Sequence, residues 1–387
     1  MSEWKEYRLG EVSTVQTGPF GSQLHQSDYK LIGTPIITVE HLGENKILHQ
    51  DIPLVSNEDK ERLNKYVLAE GDIVFSRVGS VDRRAYVSKN EDGWMFSGRC
   101  LRVRVNKEIV DPKYLSYYFG QESFKEHIRM IAVGATMPSI NTEILSGVVL
   151  NLPDLPEQQS IASILSSLDD KIDLLHRQNK TLEALAETLF RQWFVEEADE
   201  GWEAGSIEDE FDFTMGQSPP GSSYNEDGTG HVFFQGRTDF GFRFPEPRVY
   251  TTEPKRLAKR LDTLVSVRAP VGDMNMALQD CCLGRGVAAF RYKYNPSFTT
   301  YTYYKLRSLM AQIKQFEDNG TVFGSIGKDD FKKLENIIPP KELIQTFQSE
   351  AAPLDEKILK NTIQIRTITR LRDTLLPKLM SGEVSVV

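Results

Sequence analysis

The sequence predicts an α+β fold built as a pseudo-twofold internal repeat. Two globular blocks of mixed helix and strand, 1–152 and 199–338, are each followed by one long coiled-coil-type helix, 153–198 and 339–387. Three observations predict this: a self-match at a shift of about half the chain, two heptad series of equal length, and β-type runs interleaved with short helical segments in both blocks.

The self-match comes first because a period of half the chain implies a duplicated domain rather than a solenoid. At a shift of 186, residues 134–194 meet 320–380 without a gap. Gly134 meets Gly320, Ser139-Ile140 meets Ser325-Ile326, and Leu168-Asp169 meets Leu354-Asp355. Further back, Gly98-Arg99 meets Gly284-Arg285 and Tyr117-Tyr118 meets Tyr303-Tyr304. At the start of each half the shift is 198, with Trp4 on Trp202 and Gly18 on Gly216. The ends of the repeats match best and the middles least, as expected of one scaffold carrying two loop sets.

Within the blocks, Asp72-Ile73-Val74-Phe75-Ser76 reads as a strand and is echoed by Asp262-Thr263-Leu264-Val265-Ser266. Leu101–Val105 alternates as a strand does, while 114–130 and 300–316 read as helices.

The helical seams follow. Ile161, Leu165, Leu168, Ile172, Leu175, Asn179, Leu182, Ala186, Leu189 and Trp193 recur in alternating steps of four and three. The second series is Phe347, Ala351, Leu354, Ile358, Asn361, Ile365, Ile368, Leu375 and Leu379. Each carries one asparagine, a residue that fixes register at a seam. Matched length favours antiparallel pairing of the two helices with each other, the alternative being that each packs on its own block or on a partner. Pro377 and Ser381-Gly382 are stop signals for the second helix, with Pro377 expected to kink or end it early.

Net charge is −9, but its distribution matters more than its sum. The segment 153–200 holds 4 basic and 11 acidic residues, so it carries −7 of the −9. The two blocks are near neutral and each can present a basic face to phosphates. Candidate DNA-contacting residues in the predicted loops are Gln23, Thr38, His41, Arg77, Arg83, Arg84 and Arg99 in the first block. In the second they are Gln217, Arg237, Asp239, Arg243, Lys255, Arg268 and Arg285. Arginine and glutamine read guanine and adenine edges, and lysine and arginine hold phosphates. Arg77 with Arg268, after the matched strand, and Arg99 with Arg285, after glycine, are raised above the rest by recurrence, although arginines bound to the block's own carboxylates would recur as well.

No catalytic motif stands out. Gly324–Asp329 is too short for a phosphate loop, and Ser218-Pro219-Pro220-Gly221 lacks the acidic or amide residue and the aromatic of an amino-methylation motif. Pro153-Asp154 with Glu157 resembles a nuclease carboxylate pair but reads as helix entry. Cys100, Cys281 and Cys282 fit neither a disulfide framework nor a metal site and are expected as buried thiols. No metal and no catalytic residue is expected. The N-terminus lacks signal-peptide features and no apolar run suits a membrane span, so a cytoplasmic protein is expected.

At this point the chain resembles the specificity subunits of type I restriction–modification systems, over essentially its whole length. The resemblance rests on Leu152-Pro153 through Glu157-Gln158-Gln159 and Leu168-Asp169-Asp170-Lys171-Ile172, on Leu189–Phe194 leading to Trp202, and on Arg372–Glu383. Trp4 with Leu9-Gly10-Glu11-Val12 matches the family's start, whereas the second copy reads Ile207-Glu208-Asp209-Glu210 and leaves its first strand less certain. The resemblance implies two target-recognition domains, 1–152 and 199–338, separated by two conserved antiparallel spacer helices, 153–198 and 339–387. Each domain would read one half of a bipartite, asymmetric site in double-stranded DNA. It further implies two methyltransferase subunits as partners, which would carry S-adenosylmethionine, and restriction/translocase subunits that join them. This chain itself would hold no cofactor. The competing reading is an assembly scaffold for a methyltransferase that does not read DNA.

Overall fold

The computed structural model describes residues 4–21, 23–317 and 324–386. It divides into two units, 1–173 with 367–387, and 174–366. Gly320, one of the repeat anchors, lies outside the described residues.

In the first unit, Lys5–Arg8 pairs antiparallel with Val149–Leu152. A four-stranded antiparallel sheet runs in the order Ser13–Thr17, Cys100–Val105, Ile73–Ser76, Arg84–Tyr86. A three-stranded sheet of Leu54–Val55, Thr34–Ile37 and Met95–Phe96 lies beyond it in the chain's loops. The strands form because they alternate or run apolar: Ile73, Val74, Phe75, Leu101 and Val103 are fully buried. The second unit repeats this plan. Glu203–Ser206 pairs with Glu335–Ile338, and Phe211–Met215, Val287–Tyr292, Thr263–Ser266 and Met274–Met276 form the four-stranded sheet. The start that looked degraded, Ile207–Glu210, is a short helix in the same place as Leu9–Val12.

Each central sheet is braced by the same ion pair. Asp72 accepts from Arg104 Nε and Nη2 at 2.7 and 2.6 Å, and Asp262 accepts from Arg291 Nη2 at 2.6 and 2.7 Å. Both aspartates also cap a turn, accepting from the Ala69 and Lys259 N–H at 2.8 and 2.7 Å. Arg104 therefore serves the scaffold.

The first long helix spans Leu155–Arg191 and ends in a wider turn over Gln192–Glu196. Asp154 accepts from the Glu157 N–H at 3.0 Å, the capping role that explains this carboxylate pair. Gln158, 1% exposed, donates to the Pro153 and Ile109 carbonyls and accepts from the Asp111 N–H, pinning the helix start to the block. The second helix spans Lys341–Met380 and passes through both Pro353 and Pro377. Pro377 does not end it. Proline removes a single backbone donor, and burial of Leu379 and Met380 in the first unit's core holds the final turn. The chain then turns at Gly382, whose φ of 73° suits glycine. The expected helix 114–130 is split into Pro112–Tyr118 and Glu122–Ile131.

The helices pair with each other, antiparallel, in each unit. In the first, Arg372 Nη1 donates to Asp169 Oδ1 at 2.7 Å. In the second, Asn361 Nδ2 donates to Asn179 Oδ1 at 2.9 Å, and the Phe190 and Phe347 rings lie 5.5 Å apart. Ile172, Leu175, Asn179, Ile358 and Asn361 are buried, whereas Leu168, Leu182, Leu189, Leu354, Ile365, Ile368 and Leu375 are half-buried. Cys100, Cys281 and Cys282 are buried free thiols, with burial pushing Cys100 up to about 12.

Candidate nucleic-acid interface

In each unit the first core strand runs into a glycine where two loops cross with their backbones touching. A side-chain carbon on Gly18 would lie 2.2 Å from the Ser97 carbonyl, and one on Gly216 would lie 2.1 Å from the Gly284 carbonyl. Only glycine allows that approach. A third segment closes the corner: the Gly79 N–H donates to the Pro138 carbonyl at 2.8 Å, and the Ala269 N–H to the Gly324 carbonyl at 3.0 Å.

The hydrogen bonds also correct the residue equivalences at this corner. Ile140 and Ile326 donate to the carbonyls of Arg77 and Val267, so Arg268 stands where the first unit has Val78. Likewise Gly18 and Gly216 donate to Cys100 and Val287, which places Gly284 on Ser97 and Arg285 on Gly98. A one-residue step turns a side chain to the other face. The four arginines therefore do not form two equivalent pairs. The scaffold is the repeated feature, and the side chains on it differ.

Several candidates are structural. Arg243 is 1% exposed and paired with Glu183 and Asp355 at 3.1 and 3.0 Å. Burial works to lower its pKa, but the Tyr303, Asp355, Tyr304 and Glu183 side chains raise it more, so the guanidinium stays charged. Arg84, 2% exposed, donates to the Ser116 carbonyl and to Glu44 at 3.1 and 2.7 Å. His41, 5% exposed, accepts from the Thr38 N–H through Nδ1. These three cannot reach a base without unfolding their surroundings, because a buried polar group keeps its partners. Thr38 is half-buried as the residue preceding that turn.

Others are partly committed. Arg77 donates to Thr17 Oγ1 and the Gly98 carbonyl, both at 3.1 Å, beneath the exposed Phe20 ring. Arg83 donates to the Leu42 carbonyl, and Gln23 accepts from Tyr66 Oη at 2.9 Å. Arg237 pairs with Asp273, and Asp239 accepts from Arg248 at 2.9 Å. Arg99, Gln217, Lys255, Arg268 and Arg285 are exposed. Of these, Arg99, Gln217, Arg268 and Arg285 lie on the crossing loops, while Lys255 lies between Tyr250–Thr251 and Leu257–Ala258.

Three features escaped the sequence reading: the exposed Phe20, the exposed Val133 and Met137 beside the Gly79 turn, and the loop tip at Leu31 and Ile32, which is 97% and 87% exposed. The match of 134–139 with 320–325 marks this segment in the sequence as part of the repeat, with no sign of its exposure. Among the described residues no cluster of His, Cys, Asp and Glu could hold a metal, and no helix is long and apolar enough to cross a membrane.

Two matches to the model of the type I restriction modification DNA specificity domain cover residues 1–184 and 199–367. The chain is 31% identical over 377 residues to the type I restriction enzyme MjaX specificity subunit of Methanocaldococcus jannaschii, covering 92% of this chain and 88% of the relative. It is 25% identical over 475 residues to the HindI specificity subunit of Haemophilus influenzae, covering 99% and 100%. The solved S subunit of a type I restriction–modification system from M. genitalium has the same fold, with a TM-score of 0.67 at 16% identity over 98% and 96% of the two chains.

Proposed function

The chain belongs to the type I restriction–modification DNA specificity family, and on that premise we propose that it reads a bipartite, asymmetric site in double-stranded DNA and scaffolds the subunits that act there. The observation that carries this reading is the repeated loop-crossing corner, built on one matched glycine in each unit, Gly18 and Gly216, and dressed with different side chains. One frame with two side-chain sets suits two different half-sites. Blocks 1–152 and 199–338 are the target-recognition domains, and 153–198 and 339–387 the spacer helices.

Two methyltransferase subunits dock on the acidic helical segment, with restriction/translocase subunits joining them. Ile164, Leu174 and Leu185, exposed on the first helix away from the seam, suit a protein partner better than a phosphate backbone. S-adenosylmethionine belongs to the methyltransferase, and this chain performs no catalysis of its own.

The test is co-expression with a type I methyltransferase subunit from the same genome, followed by mapping of methylated adenines. A split, asymmetric motif with a fixed gap supports the proposal. A continuous motif, or one indifferent to this chain, leaves a scaffold that does not read DNA.

A further inference from the structure

We propose that Arg243 is a positioning residue for base reading by the second unit: it ties loop 236–248 to both long helices and sets the pose of that loop on DNA. The inference rests on the DNA-reading function proposed above.

Arg243 lies in a buried cluster. Its Nη2 reaches Glu183 on the first helix at 3.1 Å and its Nη1 reaches Asp355 on the second at 3.0 Å. The guanidinium lies 3.8 Å from the centre of the Tyr303 ring and donates to Tyr304 Oη at 2.8 Å. The loop around it is held at further points. Asn275 accepts from the Gly241 N–H and donates to the Gly241 carbonyl, at 3.1 and 2.9 Å. Arg366, on the second helix, donates to the Pro245 carbonyl and to Glu246, both at 2.8 Å. The same loop carries Arg237, Phe242 and Arg248 at the surface.

The first unit fills the matching acidic slot differently. Asp355 corresponds to Asp169, which accepts from Tyr117 Oη at 2.6 Å and from Arg372 at 2.7 Å. There the arginine comes from the partner helix. Its counterpart in the second unit is Ala186, fully buried. A loop arginine has thus taken over a charge that the repeat otherwise supplies helix to helix. The first unit's loop at Lys46 reaches the helix through an ion pair with Asp173 whose side chains are 59% and 50% exposed, a contact that contributes little. A buried charge with two carboxylate partners is a far stiffer tie.

The test uses the full chain co-expressed with its methyltransferase, reading the melting temperature of the purified complex and the adenine methylation motif. Arg243→Met alone strands the Asp355 carboxylate, while Glu183 keeps its ion pair with Arg307 at 3.0 Å, and is expected to destabilise. Two variants separate stability from positioning. Arg243→Met with Ala186→Arg returns the charge to the helix, as in the first unit, and Arg243→Met with Asp355→Asn removes the need for it while Glu183 stays paired with Arg307. We expect at least one of them to melt close to the wild type, with discrimination kept at one half-site and reduced about tenfold or more at the other, a loss the size of one mismatched base pair. Wild-type discrimination at both half-sites in a variant with restored melting makes Arg243 a purely structural residue and overturns the inference. It falls also if neither variant folds, since the cluster is then a stability element. A continuous motif in the wild type overturns the DNA-reading function itself, and this inference with it.

Discussion

At the position of Val12 in the first unit, the second unit places Glu210, and three neighbours change with it. Leu115, Phe119 and Leu150 become Tyr301, Lys305 and Asn336 at the matching offsets. Glu210 is fully buried and accepts from Tyr301 Oη and, at 2.6 Å, from Asn336 Nδ2. Burial pushes the Glu210 carboxyl above its ordinary value of 4.5, against the opposing pull of Lys305, Tyr301 and Asn336. A raised folded value means that the stability contribution is fully present below the unfolded value and is lost as pH rises through the folded one. Glu210→Gln should therefore gain on the wild type in melting temperature as pH climbs above 4.5; a difference that is flat with pH sinks the assignment. A second residue-scale prediction concerns the exposed arginines. Arg99→Ala and Arg285→Ala should each lower the slope of log affinity against log salt by about 1 if they hold a phosphate, as titrations of the complex at several salt concentrations would show. An unchanged slope with relaxed base preference would instead place them at base edges. Which arginines are free was not legible in the sequence. Arg84 and Arg99 look alike there, and only the fold shows that one is locked by Ser116 and Glu44 while the other is exposed.

The long helices were the most legible elements, because a heptad seam is written in spacing alone. The Asn179–Asn361 pair joins the single polar residue of each seam. Both are buried, and Asn361 Oδ1 has no hydrogen-bond partner. Asn361→Leu alone should destabilise the chain by about 1–3 kcal/mol, because Asn179 loses its donor in a buried seam. Asn179→Leu with Asn361→Leu should recover most of that, since an apolar pair of similar size removes both unmet groups. Urea unfolding followed at helix-sensitive wavelengths would measure it, and additive losses in the double variant would show that the two side chains do not act as a pair. The element boundaries were less legible. Pro377 reads as a stop, yet Leu379 and Met380 are held in the core beyond it. The split after Tyr118 carries no strong breaker apart from Gly120, and there Arg84 Nη2 would lie 2.2 Å from a side-chain carbon. That packing could not be foreseen locally.

For the whole molecule, the duplication was legible from its period, and its two ends, at shifts of 198 and 186, match the observed strand pairs of both units. The loop-crossing corner between them was not, because variable loops slip by single residues and only backbone hydrogen bonds reveal the slip. The repeat also predicts how the chain tolerates being rejoined. In the second unit the wide turn Gln192–Glu196 leads directly to Trp202 and the strand Glu203–Ser206. In the first unit the matching neighbours are Gly382 and Trp4: a side-chain carbon on Gly382, just past the second helix, would lie 3.2 Å from the Trp4 ring, ahead of the strand Lys5–Arg8. A short linker between these neighbours should therefore be accommodated, with new termini cut in the exposed stretch Glu197–Gly201. The permuted chain keeps every strand pair and both helices, so it should melt close to the parent and, with its methyltransferase, mark the same adenines. A permutant that folds but marks a different motif would mean that the connection through 197–201 itself sets how the second block reads. One that fails to fold would show that the two junctions are not equivalent in the duplicated frame.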